Sequence, residues 1–137
     1  PVPWPVSVAA EVVQAPQAPS TSSVGLSIGD PAHDYNLIVV GEQLVLRSFV
    51  FDWVILAEVP HDAAAHRWLR LSLVGEPLEL LAETSNDGEQ WAMFHAEANP
   101  GLVAEDVFVG ISGGMPAANA TEPAGLYAIV DNLAICE

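Results

Sequence analysis

The sequence predicts an all-β protein, an antiparallel two-sheet sandwich of the jelly-roll type. Three observations carry that expectation. Short apolar runs of β character recur roughly every dozen residues, punctuated by Gly, Pro, Asn and Asp. Helical periodicity is nearly absent, and only PHDAAAH (60–66) suits a single turn. In HRWLRLSLV, Leu69, Leu71 and Leu73 share one face of a strand while Trp68, Arg70 and Ser72 share the other. The leucine face is the expected core.

Five of the eleven prolines fall in residues 1–19, so residues 1–23 are expected to form an extended Pro-rich arm. Its only strand-forming part is 6–13, and the sandwich proper is assigned to 24–137. A run at 24–28 leads into the loop GDPAHDYN, and 37–40 returns as 44–47 through Gly41-Glu42. The remaining runs are 53–59, which ends at Pro60, then 67–74, 78–84, 91–97, 103–111 and 126–136. In VFVGI, the alternation of Val107, Val109 and Ile111 with Phe108 and Gly110 predicts a strand covered on both sides. No fixed internal period is visible, which argues against a propeller or solenoid.

The turn ETSNDGEQW (83–91) explains itself without a reaction. Asn86 and Gly88 tolerate positive φ, and Asp87 and Ser85 accept backbone N–H groups across the corner. The expectation is a hairpin corner.

Eighteen acidic residues stand against three arginines, with no lysine, giving a net charge of −15. Such a field repels phosphate backbones and anionic membranes, so nucleic-acid binding is excluded and membrane insertion is not expected. It suits solubility, a cationic partner or calcium. Asp30, Asp34 and Asn36 offer oxygen ligands in one loop, but without the spacing or glycine of an EF-hand. Calcium is therefore the one cofactor the sequence admits, on a thin signal, and four scattered histidines make no zinc site. Cys136, the single cysteine, has no internal partner. It is either a small apolar residue of the last strand or a bridge to another chain. Asn119-Ala120-Thr121 is a glycosylation sequon.

With these elements in place, the run HRWLRLSLVGEPLELLAETSNDGEQWAMF resembles the second half of concanavalin A-like lectin/glucanase (LamG-like) jelly rolls. VAEDVFVGISGG and IVDNLAIC are similar to the closing strands of that family, and VGLSIGDPAHDYNLIVVGEQLVL to its paired central strands. The likeness spans residues 6–136. It implies a sandwich of about twelve strands, of which the opening ones are missing here. A missing strand leaves an open edge near Pro1, Trp4, Val6 and Cys136. A cleaved upstream piece, a neighbouring copy or a partner protein could close it, unless the domain is a short variant with a closed edge. A homo-oligomer or an associated N-terminal fragment is the partner expected from the first of these alternatives.

Glucanases of that fold use carboxylates about 5 Å apart on one strand, spaced E-x-D-x-x-E. No strand here has that spacing, and no serine lies in a G-x-S-x-G elbow. The sequence therefore points to a non-catalytic, secreted or cell-surface module of structural or adhesive type, assembling through its sheet. A carbohydrate-binding module, with polysaccharide as partner, is the alternative. Its candidate sugar contacts are Trp68 with Arg70, then Trp53 and His95, because an aromatic face packs against a pyranose ring while polar groups fix its hydroxyls. The competing role for each aromatic is filling the sandwich.

Overall fold

The computed structural model describes residues 6–15, 22–103, 106–114 and 129–136. They form ten strands: β1 (Val6–Gln14), β2 (Ser23–Gly29), β3 (Asp34–Val40), β4 (Gln43–Phe49), β5 (Trp53–Pro60), β6 (Trp68–Val74), β7 (Glu79–Ser85), β8 (Ala92–Ala98), β9 (Phe108–Gly114) and β10 (Ile129–Cys136). All pairings are antiparallel, in two sheets of order β10-β1-β6-β7-β8 and β5-β4-β3-β2-β9. The molecule is an all-β two-sheet sandwich.

Alternation decides which side chains face the core. Val8, Leu69, Leu71, Leu73, Leu80 and Ala82 from the first sheet meet Leu26, Ile28, Leu37, Val39, Leu44 and Leu46 from the second, all with no exposed surface. Burying one such leucine is worth about 1.5–3 kcal/mol, and a one-residue slip would turn a whole strand's set outward. The leucine face of 69–73 is the core face, as its spacing predicts.

Hairpin turns set the register. Gly41, at φ 57°, and Glu42 join β3 to β4, so Val40 pairs Gln43 and, further along, Asn36 pairs Arg47. Gly25, inside β2, lies so close to the Leu37 carbonyl that a Cβ at this position would collide with backbone. A strand glycine of this kind marks close main-chain approach.

Two expectations need correction. β1 is not part of an arm beside an open edge: it pairs with β6 on one side and β10 on the other. Val6 is accordingly buried in the core, where its pairing partner is Leu73. Cys136 does lie on an edge strand, β10, opposite Ser7. Pro1, Trp4 and the 119–121 sequon lie outside the described residues. Nor is the VFVGI strand covered on both sides. Among the described residues β9 pairs only with β2, and Phe108 and Ile111 are both about half exposed.

Candidate functional site

The sequence candidates do not form one site. Trp68 and Arg70 share the outer face of the first sheet, opposite Ser85 and Glu83. His95 pairs Ala82, which puts it on the other face, where Nε2 lies 3.2 Å from the Glu97 carboxylate. Trp53 belongs to the second sheet altogether.

Trp68 and Arg70 brace the corner at 85–91. Ser85 Oγ accepts the Gly88 and Asp87 N–H groups at 2.9 and 3.2 Å and donates to Asp87 Oδ1 at 2.9 Å. The same Asp87 oxygen accepts the Glu89 and Gln90 N–H groups, both at 2.8 Å. These bonds, the Gln90 N–H first, hold the Asp87 carboxyl below its ordinary value. Gly88, at φ 78°, sits so near Trp68 that a Cβ would lie 3.0 Å from the indole. One face of that ring is closed by the turn. The Arg70 guanidinium stacks 4.1 Å from the Trp91 ring centroid and pairs with Glu83 at 2.7 Å. Ser85, Asp87, Arg70 and Glu83 are thus each engaged within the fold.

The outer face of the second sheet is different. Register places Asp34 and Asn36 of β3, Arg47 and Phe49 of β4, Trp53 and Ile55 of β5, Ser27 of β2 and Ser112 of β9 on one surface. Asn36 is only 2% exposed, yet its Nδ2 has no hydrogen-bond partner. Its Oδ1 accepts from Ser112 Oγ at 3.1 Å and, at the limit of contact, from Arg47 Nη2 at 3.4 Å. Arg47 lies over Trp53, 4.0 Å from the ring centroid, and its buried Nε has no acceptor. Asp34 Oδ1 is buried and without a donor.

Burial pushes the Asp34 carboxyl above its ordinary value, while the nearby Asn36 amide and the Arg47 charge oppose the shift. No well-formed hydrogen bond joins Asp34 Oδ1 to that amide. Burial likewise pulls Arg47 below the usual guanidinium value, against the field of Asp34. An acceptor and two donors thus lie together, each lacking a partner, beside an exposed indole edge. Leaving a buried polar group unsatisfied costs about 1–3 kcal/mol, so these groups call for a partner that the fold supplies only in part, water or a ligand.

Asp30, the third proposed calcium ligand, is braced instead against its own loop. Its Oδ1 accepts the Ala32 and His33 N–H groups at 2.8 and 2.7 Å, and Oδ2 accepts the Val103 N–H at 2.8 Å. The His33 ring lies 3.2 Å from Oδ1. Burial alone raises the Asp30 carboxyl, but these bonds together outweigh it and leave it below its ordinary value. Among the described residues no group of three or more His, Cys, Asp or Glu side chains is arranged to hold a metal ion.

No family model matches the chain. A comparison with curated proteins finds no match either. No helix among the described residues is long and apolar enough to cross a membrane.

Sequence reasoning missed Arg47. The signal was present: a two-residue turn at Gly41-Glu42 fixes the count along the hairpin and sets Arg47 opposite Asn36. The stacking of Arg47 on Trp53 needed the β4–β5 pairing, whose bulge at Leu46/Arg47 is not written in any turn motif.

Proposed function

We propose that this protein is a non-catalytic, secreted or cell-surface binding module that takes a carbohydrate on the outer face of β3, β4 and β5. The observation that carries this reading is the set of unpaired buried groups, Asn36 Nδ2, Arg47 Nε and Asp34 Oδ1, gathered beside Trp53. A sugar hydroxyl both donates and accepts, so adjoining hydroxyls can satisfy donors and an acceptor at once. The part of the Trp53 indole that Arg47 leaves uncovered, at 42% residue exposure, supplies the apolar contact for the C–H face of the ring. The resemblance to concanavalin A-like domains supports the reading, as does the absence of their E-x-D-x-x-E spacing for a non-catalytic role. The favoured aromatic moves from Trp68 to Trp53.

The test is calorimetry with a panel of neutral oligosaccharides against the parent chain, Trp53→Ala and Trp68→Ala. Binding that Trp53→Ala abolishes and Trp68→Ala retains, with both variants folded, is the expected result. Binding lost only in Trp68→Ala, or no binding to any oligosaccharide, overturns it.

A second reading, assembly, has its own observation. β5 is an edge strand, and Trp53, Val54, Ile55 and Val59 along it are each at least one-third exposed. A long apolar edge is a template for another strand. A homo-oligomer formed through β5 predicts a mass above that of one chain by light scattering, reduced to one chain by Ile55→Lys. A single-chain mass for the parent protein removes this reading.

A further inference from the structure

The polar face of the second sheet ends at a cavity of about 550 Å³ between residues 30–34 and 49–51. Asp34 forms part of its lining, with Phe49, Val50 and Phe51 on the opposing loop. The two acids here have different circumstances. Asp30 is fully engaged by backbone N–H groups, whereas Asp34 Oδ1 is buried with no donor. Arg47 acts on Asp34 only through space, since its guanidinium lies over Trp53.

The aromatic wall is equally unfinished. Phe51 is 95% exposed, Val50 42% and Phe49 38%. An apolar cluster of this kind at a loop tip marks a contact surface. A buried carboxylate oxygen beside phenyl rings is the environment that a primary ammonium fills best. The carboxylate takes a charge-assisted hydrogen bond, and the ring faces attract the cation. Asn36, two residues along the same strand face but outside the cavity lining, is only 2% exposed and its Nδ2 has no well-formed hydrogen bond. The net charge of −15 concentrates cations near the surface and disfavours acidic sugars.

We propose that the carbohydrate bound on this face carries a protonated primary amine, seated on Asp34 Oδ1 between Phe49 and Phe51, so that the ligand class is an amino sugar. This inference rests on the carbohydrate reading above and adds the identity of one substituent. Trp53 holds the ring platform, Asn36 and Arg47 Nε meet hydroxyls, and Asp34 selects the amine over an N-acetyl or hydroxyl group. A short oligosaccharide is the right probe, because a polyamine polymer would adhere to any protein of this charge.

The test compares glucosamine, N-acetylglucosamine and glucose trisaccharides by calorimetry on the full chain at about pH 6.5, where the amine is largely protonated and most carboxylates are ionised. The expected result is about tenfold tighter binding of the glucosamine trisaccharide. Asp34→Asn, which keeps an acceptor oxygen for a hydroxyl but removes the charge, should bring the three affinities to within about twofold of one another. Phe51→Ala, at an exposed position that the fold does not need, should lower the amine preference alone. Equal binding of all three sugars by the parent chain overturns the amine assignment and leaves the carbohydrate reading intact. A preference that survives Asp34→Asn also overturns it, because bulk charge then explains the selectivity. Failure of every trisaccharide to bind removes both.

Discussion

The Arg47 guanidinium lies over the ring of Trp53, 4.0 Å from its centroid, and Trp53 in turn meets Phe49 with ring centroids 5.1 Å apart. A cation over the indole and a phenyl ring tilted 50° to it thus tie β4 to the edge strand β5. The β4–β5 pairing carries a bulge at this point, so side-chain stacking holds what the ladder alone leaves irregular. A double-mutant cycle with Arg47→Met and Trp53→Leu should give a coupling energy of about 0.5–2 kcal/mol in urea denaturation. Strict additivity of the two variants would show that the stack contributes nothing to stability.

Asp34 predicts a conflict between stability and binding. Its folded pKa is raised by burial, so the folded state holds its proton more tightly than the unfolded chain does. The stability associated with the protonated form is fully present below the unfolded value, near 3.8, and is lost as pH rises through the folded value. Asp34→Asn should therefore raise the thermal midpoint at neutral pH, with the gain shrinking towards the acid limb. A midpoint that falls at neutral pH would mean that the carboxylate stabilises the fold rather than straining it.

Asp30 has the opposite sign. Its folded pKa is lowered, so its contribution is present above the unfolded value and is lost as pH falls through the folded one, below 3.8. Asp30→Ala leaves the Ala32, His33 and Val103 N–H groups without their acceptor, at a cost of about 2–4 kcal/mol. Denaturant melts at neutral pH measure that loss, and a parallel pH series should show the variant's deficit closing at strongly acid pH.

Gly88→Ala combines two penalties at the corner, a side chain at φ 78° and a Cβ 3.0 Å from Trp68. The expected destabilisation is about 1–2 kcal/mol, accompanied by a changed tryptophan emission spectrum as the indole moves. Retention of both stability and spectrum would show that the turn does not close on the ring.

Much of the fold was legible because it depends on local alternation. Leu69, Leu71 and Leu73 could be assigned to the core from spacing alone, and the 85–91 corner from its Ser, Asp and Gly chemistry. The role of Val6 was not legible. Alternation shows which face a strand buries but not which neighbours flank it, and β1 draws its partners from β6 and from β10 at the far end of the sequence. The site was partly legible for the same reason. Asp34, Asn36 and Trp53 were picked out by residue type, yet their meeting depends on two ladders and a bulge. Nothing in the strand of Trp68 announces that Gly88 will lie against its ring.

The pairing of Ser7 with Cys136 brings the first and last strands of the sandwich side by side. Their pairing joins residues far apart along the chain, so it carries the largest loop-closure cost in its sheet and is the ladder expected to form last in folding.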